Sequence, residues 1–481
     1  MAALISPTVD LLLYDLRHES GQSLEDIQEN RNLFIKKFPA NFTSIDWEKD
    51  NRSEAEFVEL LDERTQIENL QIASPEFQGY CYPVRIQEAY GLLLSCGVRD
   101  KYLPYSVAYS SKIKHILEQA LQGQSGSLGQ TWMISAYIEP FTYTQATALA
   151  KECYKSFMEG GSWEENLTST SNFLGGKLFE LWSFDPSLES LTEEMEVPKE
   201  VEKVNRSHHV IIAIYPSLEI ASSATYFIAE WLRLFCYRHQ VLWHYRQSRL
   251  LKELLVADRV DIQRYFENVG KGKANSSSLE QIEEKLEFIR AMFVDYSLDL
   301  NELQHKIAAM DLSLELYNQH SSALATSVAA ENLSGDLAFL GQFATLARDR
   351  YLRFLQKDFE TAKGGLELLE LAIQLLRAEV SVSQAKGDRE TARQNRTFQN
   401  TALILGTGIG SGIATATLAA RGPAIEQKQI QATLATPAGQ FMSKNLAIPP
   451  SWIVLSSAAL LSLIVAAIAS LVMGTIVAIR E

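Results

Sequence analysis

The chain has 481 residues, 46% of them apolar, and a formal charge of −15 at neutral pH. That length accommodates two or three domains and a substantial core, and the acidic balance excludes a protein that works by neutralising nucleic-acid phosphates. Four scattered cysteines, Cys81, Cys96, Cys153 and Cys236, form no CxxC pair, which points to buried thiols rather than a disulfide framework or a zinc site.

In chain order, "MAALISPTVDLLLYDLRHES" has no basic flank and carries acids within its apolar stretch, so it does not read as a signal peptide. Residues 1–216 read as an α/β cytosolic domain. Strands are expected over 9–16, 131–139, 177–184 and 209–216, and helices over 23–38, 53–70 and 143–159. Segment 185–207 is acidic and reads as an exposed loop or short helix. His208 and His209 precede a strand; His239 and His244, five apart on a helix, do not share a face and read as core or interface residues rather than metal ligands. No GxSxG, HExxH, Cys-His pair or DxD-type motif is present, so no enzyme is expected and no catalytic residue is assigned.

Residues 217–400 read as a long-helix bundle and stalk. A helix is expected from about 218 to 268. A 3-4 apolar repeat then runs from Ile282 through Ile289, Tyr296, Leu303 and Met310 to Tyr317. A second repeat carries Leu355, Phe359, Leu366, Leu369, Ile373, Leu376 and Val380 along one seam. Sustained 3-4 spacing means long helices packed at a shallow angle, and three of them make an antiparallel coiled-coil stalk. Gly364 and Gly365 fall off that seam, where a local bend is tolerated. Above Val380 the seam turns polar, and a helix continuous from near Asp336 to Ala420 would be on the order of 125 Å long.

Residues 401–481 read as a transmembrane hairpin. Thr401 to Ala420 is uncharged and would span roughly 30 Å as a helix. The second span, 453–479, follows Pro449-Pro450 and Trp452; the loop 421–452 is placed outside, and both termini in the cytoplasm, on a modest basic bias. Within the first span, Gly406, Gly408, Gly410 and Gly412 lack the spacing and following lysine of a phosphate loop. They form two small-xxx-small pairs on nearly opposite faces, suited to close helix packing. Thr407, Ser411 and Thr415 make a third line, a candidate pore lining; the alternative is that each hydroxyl bonds back to its own helix.

Taken together, the fold class expected is α+β: an N-terminal α/β cytosolic domain, long antiparallel coiled-coil helices forming a stalk, and a C-terminal two-helix transmembrane hairpin. This order of parts resembles the CorA-type divalent-cation channels. The resemblance implies a homopentamer in membrane lipid, a pore lined by the first span, and a stalk that transmits gating from cytosolic sites for a divalent cation. The Gly-Met-Asn motif of that family is absent from the corresponding stretch, "LAARGPAIEQ" (418–427), and the outer loop is longer, so no selectivity residue carries over and the metal ligands are unknown. No cofactor is evident from the residues themselves. The functional expectation is an oligomeric channel of the inner or plasma membrane whose cytosolic domain senses a ligand or ion. The alternative is a membrane-anchored coiled-coil scaffold or effector without transport activity.

Overall fold

The computed structural model describes residues 3–19, 21–38, 42, 45–52, 55–62, 67–183, 208–271, 279–330 and 335–387. The chain forms two compact units. Unit one is Met1–Leu254 with His305–Glu360; unit two is Leu255–Gln304 with Thr361–Glu481.

Unit one is built on one mixed sheet. Its strands are β1 (Leu4–Leu16), β2 (Phe57–Glu59), β3 (Glu68–Asn69), β4 (Phe77–Ile86), β5 (Ala89–Val98), β6 (Pro104–Tyr105), β7 (Gly129–Tyr137), β8 (Leu167–Phe173), β9 (Gly176–Ser183) and β10 (His208–Tyr215). They lie in the order β2-β4-β5-β1-β7-β10-β9-β8, with β3 on β4 and β6 on β1. β7 and β10 run parallel, and the other pairs are antiparallel. The central strand β5, "AYGLLLSCGV", is buried along its whole length. A strand reads as a near-continuous apolar run when both faces of its sheet are covered.

The helices are α1 (Leu24–Ile35), α2 (Trp47–Arg52), α3 (Ala108–Ala120), α4 (Tyr143–Phe157), α5 (Trp163–Asn166), α6 (Leu218–Ala224), α7 (Ile228–Lys271), α8 (Leu279–Ala330), α9 (Ala338–Leu346) and α10 (Arg353–Gly387), with a π-helical turn over Ala347–Leu352. α1 starts at a capping box in which Ser23 Oγ accepts from Asp26 N and the Asp26 carboxylate accepts from Ser23 N. One face of the sheet, carrying Val9, Leu11, Leu94, Trp132, Ile134 and Ile212, packs on α1, α3 and α4 through Phe34, Ile113, Leu117, Leu149 and Phe157. The other face, carrying Leu12, Tyr14, Leu93 and Ile211, packs on α7, α8 and α9 through Trp231, Phe235, Leu242, Met310, Leu314 and Phe343.

Unit two is helical. Ile282, Ile289, Phe293, Tyr296, Leu300 and Leu303 of α8 are buried, as are Ala362, Leu369, Leu376 and Val380 of α10; Leu366 and Ile373 are half-buried. Tyr296 Oη donates to the Ala362 carbonyl at 2.6 Å. A Cβ on Gly365 would collide with that phenol, so this glycine admits a close helix approach rather than marking a bend. On the same helix but in unit one, Leu355 is buried and Phe359 half-buried.

Three expectations are corrected. The two-helix transmembrane hairpin of the expected fold class is not part of the observed fold, which is α+β with one large sheet and long helices; among the described residues no helix is long and apolar enough to cross a membrane. Segments 401–420, 421–452 and 453–479 lie outside the described residues, as do the stretch 185–207 and any continuation of α10 towards Ala420. The α/β domain is instead dominated by antiparallel pairs, among them a long hairpin, β4–β5. Its two-residue connection is Gln87-Glu88, with Gln87 at φ +49°, and it lacks the Gly or Asn that announces such turns. Finally, the helix expected over 53–70 is not formed: Phe57–Glu59 and Glu68–Asn69 pair with β4, and Leu61 bridges Ile45. The open edge of β4 offers backbone partners that outweigh local helix preference.

Candidate functional site

One patch on the helix-covered face of the sheet is polar where its surroundings are apolar. Strand alternation puts Thr8, Asp10, Leu12 and Tyr14 of β1 on that face. Asp10 pairs with Ser95 of β5 and Met133 of β7, and Ser95 pairs in turn with Tyr80 of β4. In the next row, Thr8 pairs with Gly97 and Ser135, and Gly97 with Gln78. Two adjacent rows across four strands thus offer hydroxyls, an amide and a carboxylate. Gly97 is required beside Thr8, because a Cβ there would lie 2.8 Å from Thr8 Oγ1. The small residues Ala221 and Ser222 of α6 leave the space above these rows open, and Trp231 of α7 closes one side. The result is a cavity of about 400 Å³ with Asp10, Tyr80, Ser95, Ser135, Tyr215 and Trp231 among its walls and, among the described residues, Lys101 as the one basic group.

Asp10 is the chemically unusual member. Burial pushes its carboxyl up to about 6, and the hydrogen bond from Ser95 only partly opposes this. The charge is felt by its neighbours: burial and then Asp10 push the Tyr80 phenol up to about 12. Among the described residues, no histidine, thiol or second carboxylate lines the cavity.

Further along the same face lies a second polar constellation, buried between the sheet and α7 except for Thr168 at its exposed edge. Glu180 of β9 accepts from His209 Nε2 at 3.2 Å and from Thr168 Oγ1 at 3.0 Å, and the Arg238 guanidinium stands 3.4 Å away. Arg238 is itself held between the rings of Trp182 and Phe343, 4.5 and 4.1 Å from their centroids. Thr131 Oγ1 lies 2.9 Å from His209 Nδ1 and 2.9 Å from His239 Nε2. The tautomers follow. A carboxylate only accepts, so His209 carries its proton on Nε2 and accepts at Nδ1 from Thr131. Thr131 has one proton, so its oxygen accepts from His239 Nε2–H, leaving His239 Nδ1 as an acceptor against Gly129.

The electrostatics agree with this directed chain. Burial works to raise the Glu180 carboxyl, but Arg238, His209 and Thr168 outweigh it and hold the group below its usual range. Burial and then Arg238 bring His209 down to about 4, against the pull of Glu180. Burial, then His209, Arg238 and Arg246, push His239 well below the ordinary imidazole range, so both rings are neutral.

Of the residues singled out from the sequence, Thr407, Ser411, Thr415, Gly406, Gly408, Gly410 and Gly412 lie outside the described residues. The seam from Leu355 to Val380 lies on α10 and takes no part in either constellation. The four cysteines are free and buried. Among the described residues, no group of three or more His, Cys, Asp or Glu is placed to hold a metal ion. His239, singled out only as a core histidine, meets His209 through Thr131 of a different strand, and Asp10 was not singled out at all; its one local signal is a charge within an apolar strand. No family model, no curated protein and no solved structure matches this chain.

Proposed function

We propose that unit one is a ligand-sensing domain, that its Asp10 cavity takes a small organic ammonium compound, and that the long helices carry its occupancy onward within a homo-oligomer. The observation that carries this reading is Asp10 itself: a carboxyl on the floor of an open cavity, shifted upward by burial, with a hydroxyl beside it and, among the described residues, no cation that lowers it, Lys101 of the same lining included. An ammonium group supplies the missing charge. The rings of Tyr80, Tyr215 and Trp231 suit the same ligand, since a cation is attracted to an aromatic face. α6 and the first turns of α7 form one wall, so occupancy is felt at the start of a 44-residue helix. Leu371 and Leu375, four apart on α10 and 47% and 53% exposed, supply apolar side chains for contact between copies.

The test is calorimetric titration of the full chain with a panel of amino acids, diamines and quaternary ammonium compounds. Binding by one class, weakened at least ~10-fold in Asp10→Asn, supports the reading; binding unaffected by Asp10→Asn removes it. The chain reconstituted in liposomes then separates two roles. Ligand-dependent ion flux supports a gated permeability of the kind the CorA resemblance implies, and binding without flux supports the scaffold or effector. Native mass measurement checks the oligomer.

A further inference from the structure

We infer that the ligand of the Asp10 cavity is a primary amine with an apolar tail, its ammonium on Asp10 and its tail over β7 and β10 beneath α6. The inference rests on the reading of Asp10 as an ammonium partner and adds the chemistry of the ligand's other end. What carries it is a change of character across the cavity, polar over β4, β5 and β1 and apolar beyond them.

On the polar side, Tyr80, Ser95 and Asp10 stand in one row on β4, β5 and β1, with Thr8 and Ser135 in the next row. All five line the cavity. A primary ammonium has three N–H groups to donate, and a carboxylate with hydroxyl oxygens around it is matched to them. A quaternary ammonium has none and leaves those oxygens unserved.

Followed further across the sheet, the same two rows turn apolar. The Asp10 row runs on to Met133 of β7 and Ile211 of β10, and the Thr8 row passes through Ser135 to Ala213. Met133 and Ala213 belong to the lining. Adjacent strands lie ~4.8 Å apart, so a molecule held at Asp10 meets apolar side chains within one strand of its head. Above them, Leu218, Ala221, Thr225 and Ile228 follow a 3-4-3 spacing and also line the cavity. Thr225 gives its hydroxyl proton to the Ser222 carbonyl at 2.7 Å, back onto its own helix. Leu218, Ala221 and Ile228 pack on the core of this face but are only half-buried. A hydrocarbon tail laid beneath them removes the remaining apolar surface from water, which is favourable in proportion to its area.

The apolar side is closed by a fixed wall. Trp231 stacks on Phe235 with ring centroids 5.3 Å apart and meets Phe173 edge-on at 5.4 Å. A ligand with a second charged end is less well served. Among the described residues, the lining's other charged group is Lys101, which is exposed and screened by solvent.

The experiment is calorimetric titration of the full chain with ethylamine, butylamine and hexylamine, and with 5-aminopentan-1-ol and 6-aminohexanoate. Affinity should rise about three- to fourfold with each methylene of the alkylamines. Hexylamine should also bind at least ~10-fold more tightly than 5-aminopentan-1-ol, its equal in length with a polar end. Ala221→Leu fills the space under α6 with a good helix former, and Leu218→Asn makes it polar. Each should cut the ratio of hexylamine to ethylamine affinity by ~10-fold or more. Circular dichroism checks both folds, and if one variant does not fold the other carries the comparison. Asp10→Asn should weaken every alkylamine by a common factor of at least ~10. Alkylamines that bind alike whatever their length, a ratio unmoved in a folded variant, or 6-aminohexanoate binding more tightly than hexylamine overturns the tail; sensitivity to Asp10→Asn would then leave the ammonium reading standing. Amines that ignore Asp10→Asn, or that fail to bind at ~10 mM, overturn both.

Discussion

Two carboxylates on one face of the same sheet, Glu180 buried and Asp10 half-buried, have been treated in opposite ways. Glu180 is surrounded by Arg238, His209 and Thr168 and stays ionised below its usual range. Asp10 has a hydroxyl from Ser95 and an open cavity, and its carboxyl rises to about 6. The first arrangement pairs the carboxylate within the protein and ties α7 to the sheet, although Arg238 Nε and Nη2 make no hydrogen bond there. In the second, among the described residues, no cation is paired with the carboxyl, and Lys101 stands elsewhere in the lining. The proposed ligand role would account for the difference, because a carboxylate that must bind a cation cannot also be fully paired within the protein.

The largest effect should come from breaking the complete arrangement. Arg238→Met leaves Glu180 and the relay without their cation in a dry site, and a loss of ~3–5 kcal/mol in urea unfolding is expected. Thr131→Val removes the one group that links His209 to His239 and leaves two imidazole nitrogens unpaired; ~1–3 kcal/mol should go, with the Asp10 ligand still bound by the folded fraction. A variant equal to wild type in either experiment would mean that the relay is ornamental.

Asp10→Asn should act with the reverse sign, stabilising the protein by about 2 kcal/mol at pH 7. A folded-state carboxyl raised to about 6 binds its proton more tightly than the unfolded chain does. Stability is therefore withdrawn as pH climbs from about 4 to 6 and stays withdrawn above, so the gap between variant and wild type should open over that window and be absent at pH 4. His209, lowered to about 4, runs the other way: its contribution is present above pH 6.5 and is lost as pH falls towards 4. Measuring variant against wild type at each pH isolates Asp10 from this background. The smallest effect is on ligand affinity, which should rise by up to ~10-fold per pH unit below pH 6 and level off above it, because the ammonium needs the ionised carboxylate. A flat profile in the wild type would show that Asp10 is not the ligand's partner.

How far these features can be read in advance differs from residue to residue. Ser23 and Asp26 are three apart, and their capping box is visible as a pattern before any fold exists. The 3-4 spacing of Ile289, Tyr296, Leu303 and Met310 likewise announces a buried helical stripe, and all four are buried. Gln87-Glu88 carries no turn signature, which hides the β4–β5 hairpin and with it much of the antiparallel character of the sheet. Asp10, Ser95 and Ser135 meet only through strand register, and a shift of one residue would turn each to the other face.

The amino-acid sequence by itself determined the long helices, the capped start of α1 and the main apolar strands, since each depends on neighbours within a few turns or a few residues. Tertiary structure alone decided that Asp10 would face a cavity and that His209, Thr131 and His239 would form one relay. Those outcomes rest on pairings between strands and helices far apart in the chain, and local preference carries no record of them.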